Sequence, residues 1–246
     1  MKFQFKIQPF QTEAAESIVD VFAGQPNLGM SKYRLDIGKR RSSSEQKNEQ
    51  INLFRETEDQ KRKKIADKYY NTNEQLTAEE TDILEAAYRN AEVALSTQQL
   101  LKNIRDVQMA NNIKLSNELV QGLGAVSLDV EMETGTGKTY VYLRTVFELN
   151  KRYGFTKFVV VVPSVAIKEG VNKTLQITRE HFEALYPGAK GYEFFQYDSA
   201  KLGQVRNFAT SPNIQIMVVT VGAINKKDVN NLYKDSEKTG GEKPID

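Results

Sequence analysis

The chain has 246 residues, with 34 Lys and Arg against 32 Asp and Glu, one histidine and no cysteine. The lack of cysteine excludes disulfides, thiol nucleophiles and Cys-ligated zinc or iron–sulfur sites, and the single histidine, His181, cannot form a multi-histidine metal site. A net charge of +2 is too small to indicate nucleic-acid binding by itself, and the lack of a long apolar run predicts a cytoplasmic protein without a membrane span.

The middle of the chain, residues 39–121, contains no glycine or proline and is rich in the straight-chain residues that favour helices. We expect one helix over 44–70 and a turn at 71–73. A second helix is expected to start at Thr77, where Thr-Ala-Glu-Glu matches a capping box, and to run through Leu101. The sequence therefore predicts three parts: an N-terminal segment (1–38), a helical hairpin insertion (39–121) and an α/β core (122–246).

The two arms of the predicted hairpin carry opposite charge. Lys and Arg exceed Asp and Glu over 39–70, whereas acidic residues dominate 71–108. This pattern fits two solvated helices that attract each other. It also fits a surface that contacts phosphates through the basic clusters at 39–41 and 61–64. The sequence leaves both interpretations open.

After residue 122 the pattern changes to alternating strands and helices, which is typical of a parallel α/β sheet. The apolar run at 158–162 has no polar face, as expected for a parallel strand covered by helices on both sides. The predicted class is therefore a doubly wound α/β fold. We expect strands over 126–130, 155–162, 192–197 and 214–220, and helices over 138–153, 165–185 and 200–208.

The most informative segment is METGTGKT, residues 132–139, between the first strand and the first helix predicted for this core. Gly135 and Gly137 allow the backbone to curl so that successive N–H groups point inward, beside the positive end of the following helix. Such a turn binds a polyphosphate, with Lys138 on the β and γ phosphates and the Thr139 hydroxyl on Mg²⁺. Met132 stands where the strict pattern has glycine, so an incidental glycine-rich turn is the alternative.

These residues resemble motif I of the ATP-dependent Res subunit of type III restriction enzymes, which are helicase-like translocases of superfamily 2. Three further segments fit this family in the right order: Phe10-Gln11, VVVVPSVAIKEG at 159–170 and VVTVGAINK at 218–226. The resemblance implies a RecA-like P-loop NTPase domain with ATP and Mg²⁺ as cofactors. The implied nucleotide-binding residues are Phe10, Gln11, Thr134, Gly135, Thr136, Gly137, Lys138 and Thr139, of which Lys138 has a catalytic role and Thr139 holds the metal ion.

The role that the resemblance gives to Gln11 is recognition of the adenine edge. An amide offers a donor and an acceptor together, which complements that edge and can select ATP over GTP. An ordinary polar residue at a helix N-terminus is the alternative.

Two of the matching segments follow predicted strands, and open α/β sheets bind ligands at the carboxyl ends of their strands. Hydroxyls and N–H groups there can hold phosphates without reading bases, as a translocase requires. Lys168 and Lys226 would add positive charge near these strand ends, although a lone lysine in a helix or loop is usually just solvated. His181 lies in a predicted helix next to Phe182 and is interpreted as structural. The implied DNA contacts are Pro163, Ser164, Lys168, Thr220, Gly222 and Lys226.

The resemblance implies the N-terminal, ATP- and DNA-binding part of a translocase that serves a restriction endonuclease. Its expected partners are double-stranded DNA and, in the full-length protein, the modification methyltransferase subunit. An ATPase of this kind needs an Asp-Glu pair at the end of another strand, and no apolar strand ending in Asp-Glu follows residue 220. We therefore expect an incomplete domain that binds ATP and, as this chain alone, hydrolyses it negligibly.

Three alternatives share some of these features. A general superfamily 2 helicase or remodelling ATPase would carry the same motifs without a restriction role. A small-molecule P-loop kinase would need an arginine-bearing lid and an acceptor pocket, neither of which the sequence indicates. A non-hydrolysing nucleotide-binding or interaction module would keep the glycine turn without catalysis.

Overall fold

The centre of the fold is a three-stranded parallel sheet, seen in a computed structural model that describes residues 5–34, 58–68, 77–122, 124–201 and 203–225. The described strands are β1 (Met30–Arg34), β2 (Ala86–Asn90), β3 (Lys157–Val162), β4 (Glu193–Gln196) and β5 (Gln215–Thr220). The described helices are α1 (Pro9–Asp20), α2 (Glu58–Asp67), α3 (Ala78–Glu85), α4 (Thr97–Ala110), α5 (Lys138–Tyr153), α6 (Val165–Leu185), α7 (Gly203–Thr210) and α8 (Val221–Asn225).

The chain divides into two compact units. The first contains α1, α4, α5, α6 and the parallel sheet of β3, β4 and β5. The second contains α2, α3, α7 and most of the two-stranded sheet of β1 and β2. None of the helices in the described ranges has both the length and the apolar character that a bilayer crossing needs.

β5 is the central strand of the parallel sheet, with β3 on one side and β4 on the other. Val162 of β3 is opposite Thr220 of β5, and Gln196 of β4 is opposite Val218. Because the strands are parallel, the segments after β3, β4 and β5 leave the sheet at the same edge. The α/β class with a parallel sheet, predicted from the sequence, is confirmed.

One face of the sheet is covered by α5 and α6. Leu143 and Phe147 of α5 pack with Leu175 and Phe182 of α6 against Ile216 of β5, and all five side chains are at most 1% exposed. The rings of Phe147 and Phe182 stack with their centroids 4.8 Å apart. Burial of each such side chain contributes about 1.5–3 kcal/mol, so this cluster holds α5 firmly on the sheet.

The limits of α5 and α6 agree with the sequence prediction because both helices have local end signals. Gly154 ends α5 in the left-handed conformation, with a φ of 76°. Ser164 precedes α6, and its hydroxyl accepts a hydrogen bond from the Ile167 N–H at 3.3 Å. The strands predicted over 155–162, 192–197 and 214–220 and the helix predicted over 200–208 are also confirmed, with ends that differ by a few residues.

The capping box predicted at Thr77 is present at the start of α3. The Thr77 hydroxyl accepts from the Glu80 N–H at 3.2 Å, and the Glu80 carboxylate accepts from the Thr77 N–H at 2.8 Å. The bond from the Thr77 N–H holds the pKa of Glu80 below its ordinary value. Each partner therefore satisfies a backbone N–H that the helix itself leaves unpaired.

α3 ends at Glu85, so the prediction of one helix running through residue 101 is wrong. Ala86 is extended, with a ψ of 127°, and it begins β2, which pairs with β1. Ala87 and Tyr88 are buried within β2. Burial and strand pairing thus override the helical spacing of the apolar residues here. The region predicted as a helical hairpin is not purely helical.

The strand predicted over 126–130, directly before the glycine turn, is also wrong. The described structure gives this segment no place in either sheet. Val126 and Leu128 pack instead against a cluster formed by Val21, Leu100 and Ile104. The alternating pattern therefore reflects one face packed against helices rather than pairing with a neighbouring strand.

The prediction that helices cover both faces of β3, as in a doubly wound sheet, is wrong within the described residues. Phe158, Val160 and Val162 face the cluster of α5 and α6. Val159 and Val161 alternate with them on the other face, and each is 49% exposed. Within the described residues the parallel sheet is thus covered on only one face at this strand.

Several predictions concern residues outside the described part. The turn at 71–73 and the basic cluster at 39–41 lie outside it, as does the predicted helix before Glu58. Within that predicted helix, the described part is α2. The division of the chain at residues 38 and 121 stays a prediction.

Candidate functional site

The glycine turn before α5 has the local geometry of an anion cradle. Gly135 and Gly137 have φ values of 84° and 86°, a conformation that favours glycine. Gly137 is the N-cap of α5 and supplies no side-chain cap. The first N–H groups of α5 therefore have no partner within the helix and carry its positive end. An anion placed at this turn would meet backbone donors and a favourable dipole.

Two side chains of the turn hydrogen-bond to one carbonyl. The Lys138 ammonium donates to the Glu133 oxygen at 2.8 Å, and the Thr136 hydroxyl donates to the same oxygen at 2.7 Å. Thr134, which follows Glu133 in sequence, is exposed. Lys138 is itself exposed, and its acceptor among the described residues is this neutral carbonyl, so a charged phosphate that enters the turn competes favourably for its ammonium.

Gln11 of α1 lies against the turn, although 125 residues separate it in sequence from its partner there. Its side-chain amide nitrogen donates to the Thr136 carbonyl at 2.9 Å. A Cβ added to Gly137 would come within 2.7 Å of the same nitrogen. The structure thus brings Gln11 together with the glycine turn, and only glycine leaves room for this arrangement.

An open cavity of about 670 Å³ borders the turn. Phe10 and Thr136 are among its lining residues, and Phe10 is 45% exposed. The lining contains no lysine, arginine or histidine, so the cavity attracts cations and repels free anions. A phosphate bound at its edge therefore depends on the positive end of α5 and on Lys138, and an accompanying cation would reduce its repulsion by the lining. The carboxylates of the lining are Glu13, Glu118, Asp129, Glu131 and Glu133.

Thr139 is the residue whose chemistry suits the metal ion that the resemblance implies. Its hydroxyl is a hard oxygen ligand in the first turn of α5, next to Lys138. In the described ranges, no group of three or more His, Asp or Glu is arranged to hold a metal. The donor set therefore fits a Mg²⁺ ion that keeps water and phosphate oxygens as most of its ligands.

The sheet edge brings together most of the residues predicted to contact DNA. Because Val162 and Thr220 are register partners, Pro163 and Ser164 follow β3 beside the end of β5. Gly222 is exposed, with no atom within 4 Å of a Cβ placed on it. Lys226 lies outside the described residues.

Two of these residues already make contacts. The Ser164 hydroxyl accepts the capping hydrogen bond of α6 from the Ile167 N–H, which leaves its own O–H able to donate to a ligand. The Lys168 ammonium donates to the Tyr197 carbonyl at 3.3 Å, just after β4.

In the second unit, Arg62 of the basic cluster at 61–64 donates to the Thr210 carbonyl at 3.3 Å. This contact leaves both interpretations of that cluster open.

His181 lies in an aromatic environment on α6, in line with its interpretation as structural. Its Nε2 is 2.8 Å from the Tyr140 hydroxyl, and its ring centroid is 5.1 Å from that of Phe5. Burial lowers the pKa of His181, and the nearby Arg144 charge lowers it further. Burial raises the pKa of Tyr140, which Arg144 partly offsets.

Sequence reasoning missed Thr12, Tyr140 and Arg144, which lie close behind the turn. The Arg144 guanidinium donates to the Thr12 hydroxyl at 2.6 Å across 132 residues of sequence. The available signal was a single arginine between Leu143 and Val146 on the apolar face of a predicted helix. A cation at such a position is rarely buried unless it has a specific partner.

A family model described as "Type III restriction enzyme, res subunit" matches residues 102–243, more than half of the chain. The match includes the glycine turn, α5, α6 and all three strands of the parallel sheet.

Individual relatives come from the same group of enzymes. The EcoP15I Res subunit of Escherichia coli and the EcoPI Res subunit of Escherichia phage P1 are each 34% identical to this chain over 161 residues, which is 58% of this chain and 16% of the relative. The StyLTI Res subunit of Salmonella typhimurium is 52% identical over 66 residues, 26% of this chain and 7% of the relative. The chain thus spans a small part of the length of these relatives.

Proposed function

Because this chain belongs to the family of type III restriction enzyme Res subunits, we propose that it is the N-terminal, ATP- and DNA-binding part of a DNA translocase serving a restriction endonuclease. In this proposal its first unit is part of a RecA-like P-loop domain. The observation that carries it is the glycine turn, with Gly135 and Gly137 left-handed at the start of α5 and Gln11 held against it. This arrangement offers unpaired backbone donors, a lysine and an amide at one place.

Each residue of the turn has a distinct task in the proposed site. The N–H groups of Gly135, Gly137 and Lys138 receive the β and γ phosphates. The Lys138 ammonium leaves the Glu133 carbonyl for the phosphates, where it exchanges a neutral acceptor for a charged one. The Thr139 hydroxyl would hold Mg²⁺. When bound, this ion neutralises phosphate charge and so reduces the repulsion between the phosphates and the carboxylates of the cavity lining.

The DNA-binding surface proposed here is the edge of the sheet after β3 and β5. The N–H groups and hydroxyls at Ser164, Thr220 and Gly222 that lie at this edge hold phosphates there without contacting base edges, and Pro163, which has no N–H, lies beside them where the chain leaves β3. Closure of this domain on a second RecA-like lobe, followed by reopening, moves the grip along the DNA. Double-stranded DNA and the modification methyltransferase subunit are the partners that this proposal gives to the full-length protein.

The chain by itself is proposed to bind ATP without appreciable hydrolysis. None of the described strands ends in the Asp-Glu pair that positions Mg²⁺ and the attacking water in such ATPases. Phosphate release in the presence of duplex DNA is the measurement. DNA-stimulated turnover that disappears in Lys138→Ala would contradict this part of the proposal.

A titration with a fluorescent ATP analogue tests the nucleotide site. We expect saturable, Mg²⁺-dependent binding by the wild type and at least about tenfold weaker binding by Lys138→Ala, because a charge-assisted contact to phosphate is lost. The control is Lys151→Ala, an exposed lysine in the last turn of the same helix, which is expected to leave the affinity unchanged. Equal affinities for wild type and Lys138→Ala would overturn the proposal.

A further inference from the structure

Arg144 is a buried cation of α5 to which the proposed function assigns no role. Its residue is only 7% exposed, and its Nη1 donates to the Thr12 hydroxyl at 2.6 Å. Its Nε is buried without a hydrogen-bond partner among the described residues. Glu148, one helical turn later, accepts from the Tyr186 hydroxyl at 2.7 Å instead of from Arg144. The 2.6 Å hydrogen bond of this guanidinium thus goes to a neutral hydroxyl on α1, and the guanidinium also lies close enough to the Tyr140 and Tyr186 hydroxyls to lower their pKa values, against the larger effect of burial.

The residue that Arg144 contacts is next to Gln11 in the first turn of α1. The Thr12 hydroxyl donates to the Gln8 carbonyl at 3.2 Å and accepts from Arg144, so it uses both of its capacities. Gln8 is the N-cap of α1 and gives no side-chain cap, and no acidic residue lies in the first turn. The first turn is thus held by two tertiary hydrogen bonds, Thr12 with Arg144 and Gln11 with Thr136.

Stability alone does not require a guanidinium at this position. Desolvating a cation is costly, and an apolar side chain of similar volume fills such a site at least as well. A cation near a helix N-terminus also opposes the helix dipole, so the charge itself does not favour this contact. What the guanidinium adds is a hydrogen bond that fixes the position of Thr12 relative to α5.

We propose that Arg144 is a positioning residue, which holds Thr12 so that Gln11 stays on the phosphate turn and the site prefers adenine to guanine nucleotides. The inference rests on the proposed function, since it assigns Gln11 to the base. The loss of either Arg144 or Thr12 releases the first turn of α1 from α5. Gln11 then no longer presents its amide from a fixed place.

Displacement of the fluorescent ATP analogue by Mg·ATP and by Mg·GTP measures this preference in the full 246-residue chain. We expect Thr12→Val to lower the ratio of the two affinities about fivefold, the worth of one hydrogen bond. Arg144→Met is expected to lower it similarly, and Arg144→Lys to restore part of it. In a Gln11→Ala background, Thr12→Val is expected to lower the ratio no further, because both changes act through the same amide.

Thr174→Val is the matched control for the valine substitution. The Thr174 hydroxyl donates to the Gly170 carbonyl four residues earlier, as the Thr12 hydroxyl does to Gln8, but among the described residues it makes no hydrogen bond to another helix. Its nucleotide ratio is expected to equal that of the wild type. Thermal unfolding followed by circular dichroism checks that each variant is folded, and Thr12→Val decides the matter if Arg144→Met does not fold.

Two failures are distinguishable in this experiment. The positioning role alone is overturned if the wild type binds nucleotides and both Thr12→Val and Arg144→Met keep its ratio of ATP to GTP affinity. It is also overturned if adding Thr12→Val to Gln11→Ala lowers that ratio further. The proposed function, and this inference with it, is overturned if the wild type binds neither nucleotide. The same holds if Lys138→Ala binds nucleotide as tightly as the wild type.

Discussion

Gly135 and Gly137 share a left-handed backbone but have different surroundings. A Cβ on Gly135 meets nothing within 4 Å, whereas one on Gly137 comes within 2.7 Å of the Gln11 side-chain nitrogen. We expect Gly135→Ala and Gly137→Ala each to lose about 1 kcal/mol of unfolding free energy through backbone strain. Only Gly137→Ala is expected to displace Gln11 from Thr136. Urea unfolding measures the first effect.

The displacement is measured separately by nuclear magnetic resonance. The side-chain amide resonances of Gln11 are expected to move in Gly137→Ala and to stay in place in Gly135→Ala. Resonances that behave alike in the two variants would show that the close approach of Gln11 to the turn is wrong.

His181 gives the stability of the chain a pH dependence of defined sign. Its pKa in the folded chain is lowered from the ordinary value of 6.5 by burial, with a further contribution from Arg144. As the pH falls below 6.5, the unfolded chain takes up a proton that the folded chain does not yet bind. The unfolding free energy is therefore expected to fall as the pH is lowered through and below 6.5.

The test compares the wild type with His181→Gln, which keeps a polar partner for Tyr140 but does not titrate. Urea unfolding at pH 7 and near pH 5.5 should show a smaller loss of stability in the variant. Equal losses in both proteins would mean that His181 does not carry this dependence.

At the scale of elements, the C-terminal end of α5 is closely packed against the segment at 27–29. A Cβ on Gly154 would lie 2.5 Å from the Asn27 side-chain oxygen and 3.0 Å from the Gly29 Cα, at a φ of 76°. We expect Gly154→Ala to lower the unfolding free energy by about 2–3 kcal/mol, because strain and backbone crowding add. Denaturant unfolding measures this loss.

The control for Gly154→Ala is a glycine with the opposite expectation. Gly170 lies within α6, is exposed and has nothing within 4 Å of an added Cβ. Gly170→Ala is expected to raise the unfolding free energy by about 0.5–1 kcal/mol, since alanine favours the helix. A loss in Gly170→Ala, or none in Gly154→Ala, would contradict the packing described for these helices.

The elements that were predictable from the sequence are those with local signals at their ends. α5 and α6 have Gly154 and Ser164 beside them, and those signals depend on a few neighbouring residues. A strand exists only when another strand pairs with it, and an alternating pattern does not name the partner. For that reason the segment 126–130 was predicted as a strand and β2 was not.

The candidate site likewise contains features that the sequence predicts and features that it does not. The left-handed conformations of Gly135 and Gly137 follow from a short local motif and were predictable. The contact of Arg144 with Thr12 joins residues 132 positions apart, and no local rule connects them. Sequence reasoning therefore finds the turn but not the side chains that hold α1 against it.

At the scale of the whole molecule, the residues proposed to bind nucleotide fall within one of the two compact units. That unit combines α1, α5 and the parallel sheet, although its segments are separated by much of the chain. The family match at 102–243 includes the turn but begins after Gln11. The assignment of Gln11 to the site thus depends on its contact with Thr136 rather than on that match.

The most direct test of the central claim follows the backbone amide resonances of the isotopically labelled chain while Mg·ATP is added. Because the claim is that the turn binds the phosphates through its N–H groups, the amides of Gly135, Gly137 and Lys138 are expected to shift saturably, with small changes in α7. If these three resonances stay in place at saturating nucleotide, or if the shifts occur only elsewhere in the chain, the glycine turn is not a phosphate site.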